Sequence, residues 1–202
     1  MPRAGLSRER LIEAAIALTE ADGFVALNLA ALARGFGVKL ASLYAHVRNV
    51  DDLKAEVALN ALRRLADMVD EAIAGRAGRD ALYAYAEAQR DFALVHPGLF
   101  EAARHPLSEE IAMQSAGVRI ARASRAVFRS YALDDADQVH ATRLLGSFLL
   151  GFVLLDRSGS FAHSEPEAAE SWARGLASLH MTISGWAEKD SEQWQSWRSK
   201  PR

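Results

Sequence analysis

Hydrophobic positions recur along this chain at intervals of three and four, and nowhere do they alternate over a strand-length run. The pattern predicts an all-α fold. Leu11, Ile12, Ala15 and Leu18 share one face of a first helix that Ser7 can cap, and Gly23 stops it after about Asp22. Asn28 caps a short second helix with Leu29, Leu32 and Ala33 inward. Gly35 and Gly37 then let the chain turn sharply, and Val38, Leu43 and Val47 give a third helix its own buried stripe. Asn49 opens a fourth helix to about Ala74, with Asp51 and Asp52 in its first turn, where acidic groups favour the helix dipole.

Downstream, Gly75 and Gly78 interrupt the pattern, and Asp80 is expected to cap a fifth helix ending at His96-Pro97. A short helical turn from Leu99 to Arg104 follows. Ser108 should cap a long helix reaching Tyr131, and Asp134 or Asp135 should cap the next, through Asp156. Ser164-Glu165-Pro166-Glu167 fits a capping box for a last helix running to about Glu188. The expected division is residues 1–50 as an N-terminal helical head, 51–188 as a second helical domain, and 189–202 as a polar tail holding Trp194 and Trp197.

The stretch from Leu29 to Val47 has the pattern of a helix-turn-helix. Its second helix leaves Lys39, Leu40, Ser42, Tyr44 and His46 off the buried stripe, with Arg48 just beyond. A recognition helix in the major groove needs short side chains near the duplex and hydrogen-bond donors at its flanks, and this set supplies both. Lys39, Leu40, Ser42, Tyr44, His46 and Arg48 are therefore the DNA-binding candidates. A helix-turn-helix is also simply two packed helices, so a helical protein-interaction module without DNA binding is the alternative.

Met1 to Leu53 resembles the DNA-binding domain of the tetracycline-repressor (TetR) family of transcription regulators. The resemblance rests on Arg8, Ile12, Ala15, Leu18 and Gly23, then on Leu32-Ala33, Gly37-Val38, Leu43-Tyr44 and Leu53, with LYAHVRN (Leu43 to Asn49) especially similar. The chain departs from the family pattern in three places. Lys39 stands where a capping Ser or Thr is usual, Val47 replaces a Phe, and Val50 replaces a Lys that approaches a phosphate. HPGLF (His96 to Phe100) and GFVLLDRSGSF (Gly151 to Phe161) are similar to the ligand-binding C-terminal domains of one TetR branch.

Charge changes this picture little. The net charge is −2. Through Arg48 there are six Lys/Arg and four Asp/Glu, hence +2 for the head and −4 for the remainder. Such a protein would present a mildly basic head on an acidic body. At 202 residues, half of them hydrophobic, the chain can bury an adequate core. It has no cysteine, so no thiol chemistry or disulfide framework is available. Met1 to Ser7 does not read as a signal peptide. The most apolar run, Leu144 to Leu155, is short of the ~20 residues a membrane helix requires, and a cytoplasmic protein is expected.

Trp172, Leu176, Leu179, Ile183 and Trp186 recur at intervals of 4, 3, 4 and 3, the spacing of a helix-pairing seam. With Leu145, Leu149 and Phe152 they are the expected interface of a homodimer, as the family resemblance also implies. The alternative is burial within one chain. Phe92, Met113 and Phe148 are candidates for the wall of a ligand pocket, with His96 or Arg143 as its polar anchor. His96 and His105 are nine apart and no histidine pair has i, i+4 spacing, so neither a metal nor a cofactor is expected. No nucleophile elbow or phosphate loop points to catalysis. The function expected is a ligand-responsive transcription regulator, a repressor that binds a palindromic operator as a dimer and is released by a small molecule.

Overall fold

The computed structural model describes residues 6–186, and every regular element among them is helical. The elements are α1 (Arg8–Asp22), α2 (Leu29–Phe36), a 3-10 turn (Leu40–Ala45), α3 (Val50–Ile73), α4 (Gly78–Val95), α5 (Pro97–Ala102), α6 (Glu109–Gln114), α7 (Gly117–Phe128), a second 3-10 turn (Arg129–Tyr131), α8 (Asp135–Arg157) and α9 (Ala168–Ser184). They gather into two compact units. One takes the described part of Met1–Glu71 with Ala88–Ala121, the other Ala72–Glu87 with the described part of Arg122–Arg202.

In the first unit the caps fall where the sequence places them. Ser7 accepts from the Arg10 amide and Asn28 from the Ala31 amide, each satisfying an orphan donor at a helix start. Gly37 closes α2 at φ +65°, a left-handed turn that a side chain would strain. Leu11, Ala15 and Ile16 of α1 are buried, as are Leu32, Leu43, Val47, Leu53 and Val57. The inner stripe of α1 continues through Thr19, while Ile12 and Leu18 are half-buried. Burying a leucine contributes roughly 1.5–3 kcal/mol, so these side chains dominate the stability of the head. At the far end of α1, α5 abuts the helix. The Glu20 carboxylate meets His96 Nδ1 at 2.8 Å and accepts the Gly98 amide at 3.0 Å, and Glu101 accepts the Phe24 amide at 3.4 Å.

Four sequence expectations give way. The third helix is a 3-10 turn, with no side-chain cap at Lys39. α4 starts at Gly78, which leaves Asp80 in its first turn and not at the cap. The helix expected from Ser108 to Tyr131 is broken at Ser115, whose hydroxyl donates to the Ala112 carbonyl and accepts the Gly117 amide. The capping box at Ser164 does not form. Glu165-Pro166 is a cis peptide, and α9 begins after Glu167 without a side-chain cap. The expected tail at 189–202 lies outside the described residues.

In the second unit, Asp134 caps α8 through the Asp137 amide at 2.8 Å. Leu145, Leu149 and Val153 of α8 and Trp172, Leu176, Leu179 and Ile183 of α9 are buried as those two helices pack together. Phe148 stacks on Trp172 at 5.4 Å between ring centres, and Phe152 meets the same indole edge-on at 5.2 Å. Tyr131 and His180 are joined at 2.9 Å between hydroxyl and Nδ1. α8 is 23 residues long with a mean hydropathy of 1.4 over its most apolar window, so length and composition alone would allow a membrane span. The 12-residue apolar run understated it, because the helix continues through polar residues at both ends.

Candidate nucleic-acid interface

The turn between α2 and the 3-10 element is built from backbone bonds: the amide of Gly37 donates to Arg34 and that of Val38 to Ala33. It delivers the chain to Lys39 in an extended conformation, from which Leu40–Ala45 wind at three residues per turn. That period decides which side chains share an edge. Leu40, Leu43 and His46 stack on one edge. Leu43 is fully buried, Leu40 is 41% exposed at the rim and His46 is half-buried. The other two edges carry Ala41 with Tyr44 and Lys39 with Ser42 and Ala45, and all five residues are exposed, Tyr44 by 54%.

The structure thus brings Lys39, Ser42 and Tyr44 together on a free surface, with the exposed Ala41 and Ala45 between them. Small exposed residues between donors leave room for a base edge, and that was the signal available. Leu40 stays exposed at the rim, and His46 is half-buried beside Leu43.

Arg48 follows the turn with its side chain 85% exposed, touching Asp52 at 3.1 Å. An exposed i, i+4 pair contributes only about 0.3–0.5 kcal/mol, so the guanidinium can change partners at small cost. Asp52 itself is held firmly. It accepts the Arg48 amide at 3.0 Å, and this backbone bond is the main influence holding its carboxyl below the usual range. Arg8 at the start of α1 completes the arrangement. One of its nitrogens donates to the His46 carbonyl at 2.7 Å and the other to Glu56 at 2.5 Å, with Asp52 at 3.5 Å. The Glu56 bond raises the Arg8 pKa further above its ordinary value. Arg8 belongs to the site. No periodicity could have found it, since its partners lie 38 and 48 residues away.

A cleft of about 680 Å³ opens beside this network, lined by Arg8, Arg48, Asp51, Glu56, Leu59 and Ile111 among others. None of the expected ligand residues lines it. Phe92 is fully buried against His96, and His96 is bound to Glu20, which gives both a structural role in the first unit. Met113, also in that unit, is 69% exposed on α6. In the second unit Arg143 is exposed on α8, and Phe148 is half-buried in the aromatic stack. Of the expected dimer seam, Leu145, Leu149, Trp172, Leu176, Leu179 and Ile183 are buried within the single chain, with Phe152 half-buried beside them. What α8 and α9 leave exposed are Val139, Leu144, Leu154, Leu155 and Met181.

Comparison with known proteins fits this arrangement. Residues 82–179 match the family model described as Tetracyclin repressor-like, C-terminal domain. The chain is 37% identical over 158 residues to Rv0681 of Mycobacterium tuberculosis, an uncharacterized HTH-type transcriptional regulator, spanning 77% of this chain and 72% of the relative. The fold matches that of ActR, a TetR family protein of Streptomyces coelicolor, in complex with actinorhodin (TM-score 0.63, 20% identity, 92% of this chain and 100% of that one). It also matches BioQ with its natural double-stranded DNA operator (TM-score 0.63, 24% identity, 89% and 99%). With a helix-turn-helix head of this geometry and a relative this similar over most of both chains, the protein belongs to the TetR family of helix-turn-helix transcriptional regulators, and is not an enzyme.

Proposed function

We propose that this regulator is a cytoplasmic, ligand-responsive repressor that binds a two-fold symmetric operator as a homodimer and leaves it when a small molecule binds. The observation that carries the DNA-reading part is the 3-10 turn: Leu43 anchors it in the core and its end is clamped, while Lys39, Ser42 and Tyr44 stand exposed on its other two edges. Lys39, Tyr44 and Arg48 are assigned to phosphates, which position the head, and Ser42 to a base edge. Leu40, at the rim, is suited to a thymine methyl. BioQ, of the same fold, has been seen with its operator, and ActR with actinorhodin, which supports both halves of the reading.

A second copy of the chain is assigned to the exposed apolar residues of α8 and α9. Two heads must sit roughly 34–36 Å apart to enter successive major grooves, so a two-fold protein suits a palindromic site. The ligand then acts only as far as it prefers one head spacing over the other. Within the second unit the expected pocket residues are the exposed Arg143 and the half-buried Phe148.

The test is selection of a duplex from a random pool by the intact protein, followed by titration of the Ser42→Ala, Tyr44→Ala and Lys39→Ala variants on it. Tyr44→Ala and Lys39→Ala should weaken binding to every duplex. Ser42→Ala should cost about 1–3 kcal/mol at one operator position. Wild-type affinity in all three variants would overturn the assignment.

A further inference from the structure

Arg8, the first residue of α1, lies outside the helix-turn-helix stretch, yet it reaches 38 residues ahead to the end of the recognition turn. The amide of His46 is already spent on Leu43, while its carbonyl is taken by Arg8 at 2.7 Å. Arg8 in turn is fixed by Glu56 at 2.5 Å, one turn beyond the Asp52 that holds the Arg48 amide. Three separate elements, α1, the recognition turn and α3, thus meet at one guanidinium. A 3-10 turn has poorer internal hydrogen bonds than an α-helix, and Lys39 offers no side-chain cap at its other end. Its orientation therefore depends on what grips its C-terminus, and a cation at the terminal carbonyls of a helical turn is favoured by the local dipole.

We infer that Arg8 is a positioning residue for sequence readout: its fork between the His46 carbonyl and Glu56 sets the angle at which the Ser42 and Tyr44 edges meet the bases, without a contact of its own to the DNA. This rests on the DNA-reading assignment above. The competing role for an arginine at this place is a direct phosphate contact. The two roles separate in the salt dependence, because each lost phosphate contact lowers the slope of log affinity against log salt by about 0.9, whereas a lost positioning bond leaves the slope alone.

The experiment measures affinity for the duplex selected by the wild-type protein, and for a scrambled duplex of equal length, over a range of salt. It is done for wild type, Arg8→Ala and Glu56→Gln, each checked for an intact fold by circular dichroism and thermal melting. Glu56→Gln weakens the same tie from the α3 end, replacing a carboxylate acceptor with a neutral amide oxygen while leaving every cation in place. The expected result is that both variants lose about tenfold or more in the ratio of selected to scrambled affinity, at an unchanged salt slope. Arg8→Lys should fail to restore the ratio, since a single ammonium cannot reproduce the planar fork to two partners. A slope reduced by about one in Arg8→Ala, with the ratio intact, would identify a phosphate contact and overturn the inference. Unchanged ratios in both variants would overturn it as well. A wild-type protein that selects no duplex even at low salt would instead bring down the DNA-reading assignment beneath it.

Discussion

Gly98 lies directly against the backbone of Thr19: a β-carbon at Gly98 would fall inside the Thr19 carbonyl, 2.6 Å from its carbon and 3.1 Å from Glu20 Cα. Those atoms belong to a helix and cannot swing aside. Gly98→Ala should therefore destabilise the protein by about 2–3 kcal/mol, the usual cost of overpacking a tight contact. The melting temperature should fall by roughly 5–10 °C. A melt within 1–2 °C of wild type would show that α5 moves away from α1 freely.

Gly175 on α9 offers a contrast. A β-carbon there would meet the ring of Phe148, with Cε2 at 2.6 Å, so the obstacle is a side chain and not backbone. Gly175→Ala should cost less than Gly98→Ala, about 1–2 kcal/mol, because the ring can rotate away from Trp172. Pairing it with Phe148→Leu should recover part of the loss in urea denaturation, as expected of two residues that share one space.

Burial lifts the Tyr131 phenol from its ordinary value near 10 to about 12. The unfolded chain thus gives up this proton first. The contribution is complete below pH ~10 and is lost as the pH climbs toward 12, with up to about 2 kcal/mol at stake. Urea midpoints measured between pH 9 and pH 11.5 should fall more steeply for wild type than for Tyr131→Phe. Parallel curves would mean that the phenol ionises as readily in the folded protein as outside it.

Met181, 70% exposed on α9, and Leu154 on α8 can be changed without disturbing the packing of their own chain. Replacing both with Glu should leave a folded protein that sediments as a monomer and binds the selected duplex weakly, because like charges would face each other across a two-fold contact. Leu179→Glu, by contrast, should unfold the chain, since that side chain is buried within it. A double variant that remains a dimer would place the interface elsewhere.

The contrast between Leu179 and Met181 shows what hydrophobic spacing can and cannot reveal. A 4-3-4-3 interval says that a helix face is buried, but nothing about whose side chains cover it. Here α8 of the same chain covers it, and the surface left for a partner consists of residues between the seam positions. Local signals fared better. The caps at Ser7, Asn28 and Asp134 involve bonds three residues long, and the residue types alone announce them. The Arg8–His46 tie, the Gly98–Thr19 contact and the break at Ser115 are set by tertiary packing over long separations, or by a hydroxyl turning back on its own helix. No window of sequence displays them. The 3-10 winding at Leu40–Ala45 belongs with these, because an uncapped six-residue segment takes its pitch from its neighbours.

That winding bears on how much of a genome one head can distinguish. At about 2.0 Å per residue the six-residue turn extends about 12 Å, where an α-helical segment of the same length would extend about 9 Å. With bases stacked about 3.4 Å apart, it passes along three or four steps of the duplex. Three or four fully read positions separate on the order of 10² sequences, far fewer than the ~10⁶ sites with which even a small chromosome competes. A single copy of this head is thus information-poor by construction. On the proposed operator reading, its selectivity would come from reading the same short word twice at a fixed distance.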